Sequence, residues 1–380
     1  MVGKQNVFVW QWGRLGAGPR YAYELANAIN THTNWNAHLS ISENSDLFRG
    51  LTNKDNISFP VKTRGTLKYS FLFLLKFPKI AYDLNRFLSQ TKPAAAVCCM
   101  VSIFDYLVVY LLRKQGIPVF IIIHDATSHP GDPYDWVIRL QNSLLKKCRG
   151  VITLSEYVRD ALKLSTTTPK LSSCVIPHPS FEFPDLTLPA PRLPAFPKRK
   201  PIKLLFAGRM KTYKGGKLLA EAIALLHEHR FTLQISGETK HEDWVLALQK
   251  LEHCKLDLRS HWHTEAELVE AVDESDLVLA PYVEASQSGI IALALARGRP
   301  VVTTPAGGLA EQIIHEKSGL ISLDISSQAV ADQIRRFIEE PELFQKCASG
   351  AAEIGTKKYG WQKVAPQFIS YIEKALSPDE

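Results

Sequence analysis

The stretch LAPYVEASQSGIIALALARGRPVVTTPAGGLAE, residues 279–311, decides how this chain is read. Leu277 to Ala280 read as a buried strand, Ser286, Gln287, Ser288 and Gly289 as a small polar turn, and Ile290 to Ala296 as an alanine-rich helix. A helix that begins at such a turn leaves its first N–H groups unpaired, and its dipole adds partial positive charge there. A phosphate or diphosphate suits that position. Gly289 lets a ligand come close to the backbone. A second strand, Pro300 to Thr304, ends in Gly307-Gly308 and enters a helix near Glu311, so two strand-to-helix turns are expected around one pocket. Ordinary strand–turn–helix packing has the same local pattern, and the anion reading needs support from the rest of the chain.

A chain of 380 residues exceeds what one hydrophobic core supports, so two domains are expected. With 46% hydrophobic and 22% charged residues it is globular. The cysteines at 98, 99, 148, 174, 254 and 347 follow neither metal-ligand nor disulfide-framework spacing, which suits reduced thiols and a cytoplasmic protein. The short apolar stretch Val7 to Trp10 is followed at once by Arg14 and glycines, unlike a signal peptide. No uninterrupted apolar stretch reaches the roughly 18 residues of a membrane span.

The net charge of +7 conceals an asymmetry: residues 1–180 carry 21 Lys+Arg against 11 Asp+Glu, and residues 201–380 carry 20 against 25. Only the first half is basic, which points to an anionic partner for that half. Between Lys54 and Lys92, eight Lys or Arg stand against two Asp around the apolar run Tyr69 to Pro78. At helical spacing Leu67, Phe71, Leu74 and Leu75 share a face with Lys68 and Lys76 at its rim. This is the pattern of a helix on an anionic membrane surface and equally of a core-facing helix with a solvated edge. Nucleic acid is disfavoured, since no recognition helix or stacking motif accompanies the charge.

From the N-terminus, Val7 to Trp10 read as a strand, followed by a loop with Gly16 and Gly18 and a helix from Pro19 to Ile29. The glycines do not form a GxGxxG fingerprint. Ala94 to Met100 and Ile117 to Ile123 flank the helix Asp105 to Lys114 in a parallel βαβ pattern, and the second strand ends in His124-Asp125, where ligands gather in such sheets. Residues 181–200 contain five prolines, with Pro201 next, and read as a stiff linker between domains. After it the pattern restarts with the strand Ile202 to Ala207 and the loop GRMKTYKGG. There Arg209 offers a planar fork of donors and Lys214 a movable point charge to a phosphate. Thr264 with Glu267 reads as a capping box, Asp243 to His253 as a helix, and everything beyond residue 311 as helical.

The order of FAGRMKTYKGGKLLAEAIALL, ISGE, SDLVLAPYVEASQSGIIALALARGRPVVTTPAGGLAEQI and the closing GW...Y helix resembles the retaining nucleotide-sugar glycosyltransferases of family 4. GAGPRYAYELANAI, IIIHD, VITLSEYVRDAL and VIPHPS resemble the first domain of the same family. The resemblance implies the GT-B fold, two Rossmann-like α/β domains facing each other across a cleft. Residues 1–180 would take the acceptor, 181–201 the linker role and 202–360 the donor, with 361–380 crossing back as a helix.

By the same resemblance Arg209 and Lys214 hold the donor diphosphate, Ser288 and Gly289 receive its distal phosphate, and His124 contacts the donor sugar. Gly16 and Gly18 lie near the reacting carbon, and Gly208, Gly237, Glu284, Ser286, Gln287 and Glu311 complete the donor site. The implied activity is transfer of a sugar from a nucleoside-diphosphate-sugar to a saccharide or lipid-linked saccharide, with no metal and no cofactor. One departure matters. The family's usual pair of glutamates falls on Ala285, beside Glu284, and on Leu293, so no acid can grip the donor ribose from position 293. An epimerase, a phosphorylase or a non-catalytic nucleotide-sugar-binding partner would use the same cradle.

Overall fold

The structure is a computed structural model that describes residues 4–14, 16–63, 67–127, 135–165, 171–196, 201–239 and 242–377. Within 67–76 the backbone is described and the side chains are not, so the apolar and basic run read there, with Lys68 and Lys76, lies outside the described side chains.

The first half alternates strand and helix: β1 Asn6–Gln11, α1 Gly18–His32, β2 Asn36–Ile41, α2 Asp46–Gly50, α3 Leu67–Thr91, β3 Ala95–Cys98, α4 Asp105–Lys114, β4 Val119–Ile123, α5 Asp135–Leu145, β5 Gly150–Thr153, α6 Glu156–Ser165 and β6 Ser172–Val175. These strands form a parallel sheet of order β2-β1-β3-β4-β5-β6. β3, β4 and β5 are buried along their whole lengths, which is why they read as continuous apolar runs rather than alternating ones. Leu84 and Leu88 of α3, Val108 and Leu112 of α4, Leu144 of α5 and Val158 of α6 share one core, while α1 belongs to another.

The second half repeats the scheme: β7 Ile202–Ala207, α7 Gly216–Ala224, β8 Phe231–Ser236, α8 Asp243–Gln249, β9 Cys254–Arg259, α9 Glu265–Glu274, β10 Leu277–Ala280, α10 Gly289–Ala296, β11 Val301–Thr303, α11 Leu309–Gln312, β12 Gly319–Ile321, α12 Ser327–Glu339, α13 Pro341–Lys357 and α14 Trp361–Leu376. A second parallel sheet runs β12-β11-β10-β7-β8-β9. The protein is therefore two Rossmann-like α/β domains, the GT-B arrangement.

Two edge strands correct the sequence reading. β9 occupies residues that the sequence reading left unassigned after the helix ending at His253, and β12 lies in a stretch read as wholly helical. In β9 only Cys254 is buried and three of its six residues are charged, and β12 has three residues, so neither presents the long apolar run of an inner strand. The linker is not a free spacer either. Arg297 donates to the Pro189 carbonyl at 2.8 Å, and Phe196 packs edge-on against Phe344 at 5.6 Å. The closing helix α14 lies on the first domain, where Trp361 Nε1 donates to Glu24 at 2.7 Å and Tyr371 Oη to the Ser172 carbonyl at 2.7 Å.

Candidate active site

The loop after β7 is folded tightly on the loop after β10. Val283 N donates to the Tyr213 carbonyl at 2.8 Å, and Gly215, with φ +76°, lies so close that a Cβ there would stand 1.9 Å from the Pro281 oxygen. Only glycine fits both the left-handed backbone and that contact. Lys214 is consequently carried onto Tyr282. Its Nζ donates to Tyr282 Oη at 2.6 Å and sits 4.3 Å from the ring centroid. Tyr282 Oη in turn lies 3.1 Å from Ser288 Oγ.

Ser288 is the residue before α10, and both its backbone groups are held by one side chain: its N–H donates to Gln312 Oε1 at 2.7 Å, and its carbonyl accepts from Gln312 Nε2 at 3.2 Å. Lys214, Tyr282, Ser288 and Gln312 thus form one chain of hydrogen bonds that joins the β7 loop to the start of α10. Tyr282 and Gln312 were not singled out in the sequence. Tyr282 looks there like the apolar end of a strand, and its pairing with Lys214 exists only because the crossover places β10 beside β7.

Gly289 is exposed, and a Cβ on it would meet nothing within 4 Å, so the first turn of α10 is open. Arg209 is exposed and lines an open cavity of about 1330 Å³ together with Met210, Glu238, Trp244 and Val283. Gly208 and Gly237 act first as packing positions, since Gly237, with φ +152°, would place a Cβ 2.0 Å from the Gly208 oxygen. Glu284 is half-buried in the same loop as Ser286 and Gln287. Leu293 and Ala285 are buried, 4% and 1% exposed, in the positions where an acid is absent.

The second strand-to-helix turn does not open on the same pocket. Gly307 and Gly308 pack against the first turn, where a Cβ would stand 2.0 Å from the oxygens of Ala285 and Ser286, respectively. Glu311 looks away from α10. Its carboxylate accepts from the backbone N–H groups of Glu156 at 2.7 Å and Tyr157 at 2.8 Å, capping α6 of the first domain. This corrects the assignment of Glu311 to the donor in the observed arrangement, because its oxygens already serve orphan donors of a helix N-terminus. Ser155 Oγ adds a bond of 3.2 Å to the Ser286 carbonyl across the same junction.

From the first domain, His124 stands at the end of β4, 8% exposed, with Nε2 2.9 Å from the Cys99 carbonyl. Burial lowers its pKa, so the ring is neutral near pH 7, with Nε2 as donor to Cys99 and Nδ1 as acceptor. Tyr21 meets His124 and His178 edge-on at 5.5 and 5.8 Å. Burial, reinforced by His124, lowers the His178 pKa to about 4. Gly16, with φ +83°, is exposed and sterically open, whereas Gly18 backs onto the Gln11 side chain. Among the described residues no cluster of three or more His, Cys, Asp or Glu has metal-binding geometry, and no helix is long and apolar enough to cross a membrane.

Residues 201–340 match the family described as glycosyl transferases group 1. Glycogen synthase of Mycobacterium tuberculosis is 30% identical over 176 residues, which span 44% of this chain and 42% of that enzyme, so the chain spans less than half the length of this relative. A glycosyltransferase from Rickettsia africae has the same fold over 99% of this chain and 100% of its own, with a TM-score of 0.73 and 16% identity. Anabaena HepE, solved in complex with UDP and glucose, superposes with a TM-score of 0.71 at 16% identity, covering 97% of this chain and 99% of its own.

Proposed function

We propose that the protein is a retaining glycosyltransferase that moves a sugar from a nucleoside-diphosphate-sugar to a hydroxyl acceptor, in the assembly of a polysaccharide or lipid-linked glycan. The observation that carries this reading is the continuous network from Lys214 through Tyr282 and Ser288 to Gln312. It holds a cation and a hydroxyl beside an open helix N-terminus, a combination that suits a diphosphate. The match of residues 201–340 and the nucleotide complex of HepE support it.

In this reading Arg209 and Lys214 stabilise the departing diphosphate, and the first turn of α10 takes its distal phosphate. Neutral His124 offers Nδ1 as acceptor to a sugar hydroxyl. The acceptor lies against the first domain, and closure of the domains excludes water. Because cations and helix dipole neutralise the leaving group, no metal ion is required. The membrane-facing part of the proposal places the protein at a cytosolic bilayer surface.

The test is thermal-shift screening against UDP-, GDP-, ADP- and dTDP-sugars, followed by transfer assays with labelled donor. One donor is expected to raise the melting temperature and to yield a glycoside of retained configuration in the presence of EDTA. Loss of transfer in EDTA with recovery in manganese would remove the metal-free mechanism. Tight donor binding with neither transfer nor hydrolysis would assign a binding partner instead, as the buried Leu293 and Ala285 allow. A Tyr282→Phe variant is expected to fold and to weaken donor binding about tenfold, since it removes one hydrogen bond to a charged group, worth about 1.5 kcal/mol. Unchanged donor affinity would show that Tyr282 does not hold Lys214 in place.

A further inference from the structure

The outer layer of the first domain carries a surface that the proposed chemistry leaves unused. Helices α3, α4 and α5 bury one side in a common core, and the opposite side of α4 presents Tyr106, Tyr110, Arg113 and Lys114, spaced one and two turns apart. These four side chains and Lys147, just beyond α5, line a cavity of about 370 Å³, with Lys147 Nζ 4.1 Å from the Tyr106 ring centroid. The face continues onto α3. Gln115 Nε2 donates to Asn85 Oδ1 at 2.6 Å, which ties the end of α4 to the stretch of α3 bearing exposed Lys79, Tyr82 and Arg86.

Two features set this face apart from an ordinary solvated one. Among the described side chains of α3, α4 and α5, every exposed large apolar residue is Tyr or Trp: Tyr82, Tyr106, Tyr110 and Trp136, with Tyr82 68% and Tyr110 62% exposed. Among the described side chains of these helices the charge is also one-sided, with Lys79, Arg86, Arg113 and Lys114, and Lys147 just beyond α5, around one exposed acid, Asp83. Cations in the last turn of α4 complement its dipole, which accounts for Arg113 and Lys114. The dipole does not account for two tyrosines held in water. Amphipathic rings interleaved with lysine and arginine match the headgroup level of a bilayer, where the ring enters the acyl boundary and the hydroxyl and cations meet phosphate.

We propose that the outer face of α3, α4 and α5 is the surface by which the protein docks on an anionic phospholipid bilayer, with Tyr82, Tyr106 and Tyr110 at headgroup depth and Arg113, Lys114 and Lys147 on lipid phosphates. The inference deepens the membrane-facing part of the proposed function, moves its centre from the apolar run of residues 69–78 to α4, and is independent of donor chemistry.

Co-sedimentation of the intact protein with phosphatidylcholine vesicles, with and without phosphatidylglycerol, tests it. Binding is expected only to the anionic vesicles and falls with salt. An Arg113→Glu, Lys114→Glu, Lys147→Glu variant is expected to bind at least tenfold more weakly, each cation being worth about 1 kcal/mol near such a surface. Tyr82→Ser with Tyr110→Ser is expected to weaken binding while leaving its salt dependence unchanged. Should the charge-reversed protein fail to reach the parent melting temperature, Arg113→Gln with Lys147→Gln serves in its place. Equal binding to neutral vesicles, no binding to anionic ones, or full binding by the charge variants overturns the proposal. Tighter binding to single-stranded RNA than to anionic vesicles at the same salt assigns the face to nucleic acid and overturns it as well. Vesicle binding needs no sugar nucleotide, so its failure and a failure of glycosyl transfer are read separately.

Discussion

Replacing Arg20 with methionine is expected to lower stability by about 3–5 kcal/mol, the range found when one partner of a buried ion pair is removed and the others stay behind. Arg20 is 2% exposed on α1. Its guanidinium holds Asp185 of the linker through both terminal nitrogens and Glu265 at the start of α9 through Nε and Nη2, and it lies 3.8 Å from Glu24. One side chain thus joins the first domain, the linker and the second domain. Its planar fork lets it serve two carboxylates at once, which a lysine cannot do.

Without Arg20, the buried Glu24 and the partly buried Asp185 lose their compensating charge. Burial already pushes the Glu24 carboxyl up to about 7, against the pull of Arg20 and of N–H donors from Glu182, Phe183 and Trp361. Removing the cation pushes it further up, so Glu24 takes up a proton on folding near neutral pH. The variant should therefore lose stability as pH rises through the neutral range more steeply than the parent does. Urea midpoints for parent and variant at pH 6 and pH 8 supply the measurement. Equal midpoints would show that the network does not hold the domains together.

How much of this was legible in the sequence depended on the range of the interaction. Ile202–Ala207 read with its observed bounds and the closing helix with its observed start, because the strand is a mostly apolar run and α14 begins after Gly360 with a regular apolar stripe. The Thr264 capping box was equally readable, since all its atoms lie within four residues. β9 and β12 escaped because β9 mixes charged and apolar positions and β12 is only three residues long. The Arg20 network escaped for another reason: its partners lie 165 and 245 positions away, and nothing in GPRYAYEL announces them.

The site divides the same way. Arg209, Lys214 and the Ser288-Gly289 turn stand at strand ends, where the order of elements alone places them. Glu311 also stands at such an end, yet the structure turns it onto α6. Chain order predicts which edge of the sheet a residue occupies; the direction of its side chain follows from what packs above it.

A Lys214→Ala variant should lower turnover with the cognate sugar nucleotide by about 10²–10³-fold, the usual loss when a preorganised group facing developing negative charge is removed. The fold should survive, because Lys214 is only half-buried and its Nζ contacts Tyr282 and, at 6.0 Å from the centroid, the ring of Tyr213. The Nζ is held in advance by a hydroxyl and an aromatic face, so in the proposed reaction little reorganisation would be needed as a leaving diphosphate gathers charge. That preorganisation separates this lysine from the exposed Lys211 and Lys217 of the same region, whose replacement by alanine should change turnover much less. Steady-state kinetics on the three variants decides the matter. If Lys214→Ala falls in kcat while Lys211→Ala and Lys217→Ala do not, the effect belongs to one positioned ammonium. If all three fall alike, the loop acts only through its summed charge, and the pairing of Lys214 with Tyr282 has no catalytic consequence.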